Sequence, residues 1–96
     1  MKIVADKLKE IDGPLVFCGD LNLKYEAPAM RSLDFLRNLT QENGVKTTLS
    51  GLKFNGAVPC DYILVNDFVT VEKFAVIPDI VSDHLGIMAE IEPNKR

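Results

Sequence analysis

Leu15-Val16-Phe17-Cys18-Gly19-Asp20-Leu21-Asn22 is the stretch on which the fold turns. Four apolar residues in a row, with no polar alternation, predict a strand covered on both faces, because a strand with one wet face alternates. Gly19-Asp20 ends the run and places a carboxylate where the strand becomes a loop. The pattern recurs downstream. In Cys60-Asp61-Tyr62-Ile63-Leu64-Val65 an aspartate precedes a second uninterrupted apolar run, which turns at Asn66-Asp67. In Ser82-Asp83-His84-Leu85-Gly86 the carboxylate is followed directly by the only histidine of the chain.

Upstream of the first strand, Ile3, Val4, Leu8 and Ile11 recur at helical spacing among charged residues. They predict an amphipathic helix over residues 2–11, closed by Asp12-Gly13-Pro14. Downstream, Pro28 suits a helical first turn, and Met30, Leu33, Leu36 and Leu39 are read as the buried face of a second helix stopped by Asn43-Gly44. Residues 45–59 read as loop with short extended pieces. Val69 to Val76 predicts a longer half-polar strand, and Gly86 to Glu92 alternates as a strand with one wet face. The fold class is therefore α/β in the α+β sense, a mixed and mostly antiparallel sheet with helices on one face. Two helices cannot cover the second face of strands that are apolar on both.

At 96 residues, 47% hydrophobic and 26% charged, the chain has the size and composition of one small globular domain. No apolar run approaches the ~18 residues of a membrane span. Met1-Lys2-Ile3-Val4-Ala5-Asp6-Lys7 turns charged too early for a secretory signal, so a cytoplasmic location is expected. Cys18 and Cys60 are too few for a disulfide scaffold or a zinc site, and both are expected as buried free thiols. A net charge of −3 and a pI near 5.0 weigh against broad non-specific DNA binding and suit a small phosphorylated substrate better.

Asp20, Asp61 and Asp83 offer hard oxygen donors, which select Mg²⁺, Mn²⁺ or Ca²⁺ over Zn²⁺. Asn22 adds an amide two positions past Asp20, and His84 adds a proton-handling imidazole. Taken alone, Asp20 reads as a turn residue bonding its own backbone, and a lone loop histidine reads as solvated. Thr47 and Thr48 read as ordinary loop residues. Lys24, Lys46 and Lys53 read as surface charge, and Asn55-Gly56 as a turn without phosphate-loop spacing.

The order Gly-Asp-x-Asn, then Asp before an apolar strand, then Ser-Asp-His resembles the C-terminal half of the endonuclease/exonuclease/phosphatase superfamily, the DNase-I-like metal-dependent phosphoesterases. The resemblance spans nearly the whole chain. It implies half of a four-layer αββα sandwich, with residues 1–96 forming a single partial domain. It implies hydrolysis of phosphodiester or phosphomonoester bonds by water, with Mg²⁺ or Mn²⁺ as cofactor and a nucleic acid or a small phosphorylated molecule as substrate.

By the same resemblance Asp20 orients or deprotonates the water or serves the leaving group, and Asn22 bonds a phosphate oxygen. Asp61 orients His84, while Asp83, with Asp20, lies on the metal side. The family's metal-binding Glu and an early Asn have no counterpart here, and neither Glu10 nor Glu26 takes their place. The chain alone is thus expected to bind metal weakly and turn over little. The alternative is a non-catalytic truncated α/β association module. In either case the uncovered sheet face is expected to pair two copies.

Overall fold

Tyr62-Ile63-Leu64-Val65 forms the centre of the protein in a computed structural model that describes residues 1–23, 25–45, 48, 60–77 and 84–94. These residues lie in β3 (Asp61–Val65), the middle strand of a three-stranded sheet. β1 (Val16–Asp20) and β2 (Arg37–Asn38) flank it, both antiparallel to it. A second sheet pairs β4 (Val69–Ile77) with β5 (Gly86–Pro93), also antiparallel, with a register shift between Val71 and Lys73. The helical parts are α1 (Lys2–Lys9), a 3-10 helix (Pro28–Leu33) and the single-turn α2 (Leu39–Glu42). The protein is α+β, as expected, and among the described residues no helix is long and apolar enough to cross a membrane.

Alternation along β3 divides the core in two. Tyr62 and Leu64 point into a cluster with Ala5, Leu15, Met30, Leu33 and Leu36, beneath α1 and the 3-10 helix. Ile63 and Val65 point the other way, into a cluster with Leu39 and Val69, against which Phe74 and Ile87 of the second sheet pack. The uninterrupted apolar run of β3 thus has the two-sided cover it predicts. The second face, expected to stay bare in this chain alone, is covered by the chain's own second sheet, which the helices-only expectation missed.

β1 departs from the expectation of burial on both faces. Val16 is 41% exposed, and Cys18 is exposed, whereas Cys60 is buried. The register pairs Val16 with Val65 and Cys18 with Ile63, so these side chains share one sheet face. β3 is covered there and the edge strand β1 is not, which is why Cys18 is not a buried thiol. Phe17, on the opposite face, packs against the first cluster.

The second predicted helix is also corrected. A 3-10 helix, the short β2 and α2 stand where one helix was expected. Met30, Leu33, Leu36 and Leu39 recur at strict steps of three. At 3.6 residues per turn that spacing drifts off one face, whereas in a 3-10 helix positions three apart eclipse. The stop at Asn43-Gly44 holds, with Gly44 at φ 67° and its amide donating to the Gln41 carbonyl at 3.0 Å.

In α1 the helix starts as read but ends at Lys9 rather than at residue 11, and its buried face differs. Ala5 is its buried residue, and Met1 and Leu8 pack beside it. Ile3 remains 77% exposed and Ile11 46% exposed. Met1, Ala5 and Leu8 are four and three apart and form a single stripe. The larger apolar side chains at positions 3 and 11 lie off it.

Candidate functional site

Asp20 and Asp61 are register partners at the ends of β1 and β3, which places two carboxylates side by side at one sheet edge. The chain leaves β1 through an unusual backbone, with Gly19 at φ 147° and Asn22 at φ 53°. Left-handed φ is easy for glycine and tolerated by asparagine. Several contacts hold the turn. The Leu21 amide donates to the Cys60 carbonyl at 2.9 Å, and the Asn22 amide donates to Asp20 Oδ1, also at 2.9 Å. Further on, the Tyr62 hydroxyl donates to the Leu23 carbonyl. Asp20 therefore does act as a turn residue, but with one oxygen only.

The other oxygen faces the histidine. His84 reaches the same edge from just before β5, and its Nδ1 lies 2.7 Å from Asp61 Oδ2. Its Nε2 lies 3.8 Å from Asp20 Oδ2, too long for a hydrogen bond and short enough for a bridging oxygen. The expected His84–Asp61 contact is present, across 23 positions of chain. Side-chain exposure separates the two acids, at 17% for Asp61 and 48% for Asp20. The more enclosed Asp61 orients the ring, because a carboxylate on Nδ1 selects the tautomer carrying its proton there. Asp20 is open to a ligand.

Ligand-capable atoms of Asp20, Asp61 and His84 all lie within 4.8 Å of one another. That spacing alone suits a cation, yet the short bond between His84 and Asp61 commits those two groups to each other. Asp20 is the oxygen donor left to face a metal. Mg²⁺ commonly takes one or two carboxylates and fills its shell with water and phosphate oxygens, so this donor fits.

Asn22 lies at the same edge with an exposed side chain. Asp83 lies outside the described residues, as do Thr47, Lys24, Lys46, Lys53 and Asn55-Gly56. A cleft of about 270 Å³, lined by Cys18, Ile63, Leu85 and Ile87 among others, runs from Asp61 over the uncovered sheet face. A larger one of about 370 Å³ beside the 3-10 helix holds none of the candidate residues.

Thr48 was expected to be an ordinary loop residue, but it is fully buried. Its Oγ1 accepts from the amides of Cys60 at 2.8 Å and Asp61 at 3.1 Å. Its neighbours in sequence carry no signal of this, because its partners lie 12 and 13 positions away. Thr40 is buried too and donates its hydroxyl to the Asp61 carbonyl at 3.2 Å.

Residues 2–84 match the model of the endonuclease/exonuclease/phosphatase family, a span that includes Asp20, Asn22, Asp61 and His84. No curated protein and no solved structure matches the chain.

Proposed function

The chain belongs to the endonuclease/exonuclease/phosphatase family, and we propose that it carries the acid–base part of a divalent-metal-dependent phosphoesterase site. The observation that carries this reading is the 2.7 Å bond from Asp61 to His84, with Asp20 facing the other ring nitrogen. Hydrolysis of a phosphoester needs a positioned water, relief of developing negative charge and help for the departing oxygen.

In this reading Asp61 holds a proton on His84 Nδ1 and turns Nε2 toward the phosphoryl group. Asp20 Oδ2 orients or deprotonates the attacking water or serves the leaving oxygen, and the side-chain amide of Asn22 bonds a phosphate oxygen. Asp20 would hold the metal, with Asp83 on the same side by resemblance. Mg²⁺ or Mn²⁺, when bound, neutralises charge on the phosphoryl oxygens.

Residues 1–96 are read as one partial domain, the C-terminal half of a DNase-I-like fold. Asp20, Asn22, Asp61 and His84 at one sheet edge make half a site, and catalysis depends on placement within about 0.5 Å by a complete set of groups. Little or no turnover is expected from the chain alone. The substrate is a phosphoester, read as a nucleic acid or a small phosphorylated molecule.

A second reading, a non-catalytic association module, is favoured by the bare face of β1, where Val16 and Cys18 are exposed. Two copies joined through that face would cover it, and such a homodimer is compatible with either reading. The deciding experiment is hydrolysis of a generic aryl phosphodiester with and without Mg²⁺, by this chain and by a form extended at its N-terminus. Mg²⁺-dependent turnover by the extended form alone is expected. Robust turnover by the 96-residue chain would refute the half-site, and none by either form would favour the association module.

A further inference from the structure

The hydrogen bond at the centre of the site joins two separate sheets. Asp61 opens β3 of the three-stranded sheet, while His84 lies two residues before the start of β5 of the two-stranded one. A slip of more than about 0.5 Å between the sheets would lengthen a 2.7 Å contact beyond hydrogen-bond range. Something must hold the two strand ends in step.

We infer that Thr48 is a positioning residue, a buried clamp that sets the distance between Asp61 and His84. The inference rests on the acid–base reading of that pair and deepens it. Thr48 bonds to the backbone on both sides of the contact. On the β3 side its Oγ1 accepts from the Asp61 amide at 3.1 Å and the Cys60 amide at 2.8 Å. On the β5 side its carbonyl accepts from the amide of Leu85, the residue after His84, at 2.6 Å.

A fully buried hydroxyl taking two amides is placed with little freedom, since leaving those donors unpaired away from water is costly. Thr40 complements it by bonding the Asp61 carbonyl at 3.2 Å, but among the described residues its hydrogen bonds go to Tyr25, Val45 and Asp61 and not to the His84 side. Thr48 is the described residue whose bonds bridge the sheets at this point. Its role is exerted through Asp61 and Leu85 rather than on a substrate.

The test needs neither substrate nor metal. The chain has one histidine, so its ring signals are unambiguous in nitrogen-labelled protein. In the unmodified chain the His84 Nδ1 proton should appear as a downfield, slowly exchanging resonance. Thr48→Val keeps the shape and removes Oγ1, and it should speed exchange of that proton by about tenfold or more. Thr48→Ser restores the acceptor and should restore slow exchange.

Val69→Ala, in the core at the opposite end of β3, controls for general loosening and should leave the resonance in place. An unchanged Nδ1 proton in folded Thr48→Val, or equal loss in Val69→Ala, overturns the clamp. Should Thr48→Val not fold, native-state exchange of the unmodified chain decides the matter. The amides of Cys60, Asp61 and Leu85 should then open together with the Nδ1 proton, and independent opening overturns the inference. A missing downfield resonance in the unmodified chain would instead remove the acid–base reading beneath it.

Discussion

Asp20 divides its two oxygens between the turn and the histidine. Oδ1 closes the turn onto the Asn22 amide, and Oδ2 faces His84. Replacing it removes both contacts, whereas replacing His84 removes only the imidazole. In the N-terminally extended protein, Asp20→Ala and His84→Ala are each expected to lower Mg²⁺-dependent phosphodiester hydrolysis by about 10² or more. Steady-state rates against the unmodified extended protein check this, and full activity in either variant would exclude that residue.

A second residue-level prediction concerns pH. Burial raises the pKa of Tyr62 above the ordinary tyrosine value, and burial with neighbouring Glu26 raises that of Tyr25. The two rings meet edge to face at 5.9 Å, and their hydroxyls donate to the Leu23 and Val45 carbonyls. Because the folded values lie above the unfolded one, their contribution to stability is complete below about pH 10 and is lost as pH rises toward the folded values. Urea midpoints should therefore fall above about pH 10, in step with tyrosinate absorbance. Tyr62→Phe, less stable at neutral pH, should show a shallower alkaline fall.

Among the elements, β1 shows how a strand can be built to deliver one side chain. Its apolar residues pair along β3, and Gly19 then takes φ 147° and re-aims the chain before Asp20. A Cβ at Gly19 would meet no atom within 4 Å, so space does not explain the glycine. Backbone conformation does, because a left-handed φ is strained for an L side chain. Gly19→Ala should cost about 1–3 kcal/mol in urea unfolding. Relaxation of the strained turn should also move Asp20 and shift the His84 ring signals. A stability within error of the unmodified protein would show the turn to be unstrained.

For the whole molecule, the governing fact is uneven cover. β3 is buried on both faces, yet the same face of β1 leaves Val16 and Cys18 open and continues into the apolar cleft beside Asp61. Exposed apolar area of this kind favours association when it is contiguous. Sedimentation at micromolar concentration is expected to show a dimer, and Val16→Lys should return it to monomer by placing a charge on the bare face. A clean monomer of the unmodified chain would end the homodimer reading.

Local pattern determined much of this protein. The run Tyr62 to Val65, the alternation from Gly86, the stop at Asn43-Gly44 and the strand ends that carry Asp20 and Asp61 are each written within a few residues. The ordered motifs sufficed to name the family and to pair His84 with Asp61. What the chain alone left open depends on neighbours remote in sequence. Val16 and Ile63 are equally apolar, and only the position of the second sheet decides that one is covered and the other exposed. Steps of three from Met30 to Leu39 became a 3-10 helix, a strand and a single α-turn because β2 pairs with β3, a contact no local window contains. Thr48 reads as a loop threonine until folding brings Cys60, Asp61 and Leu85 around it, since burial and hydrogen-bond partnership are properties of the assembled chain.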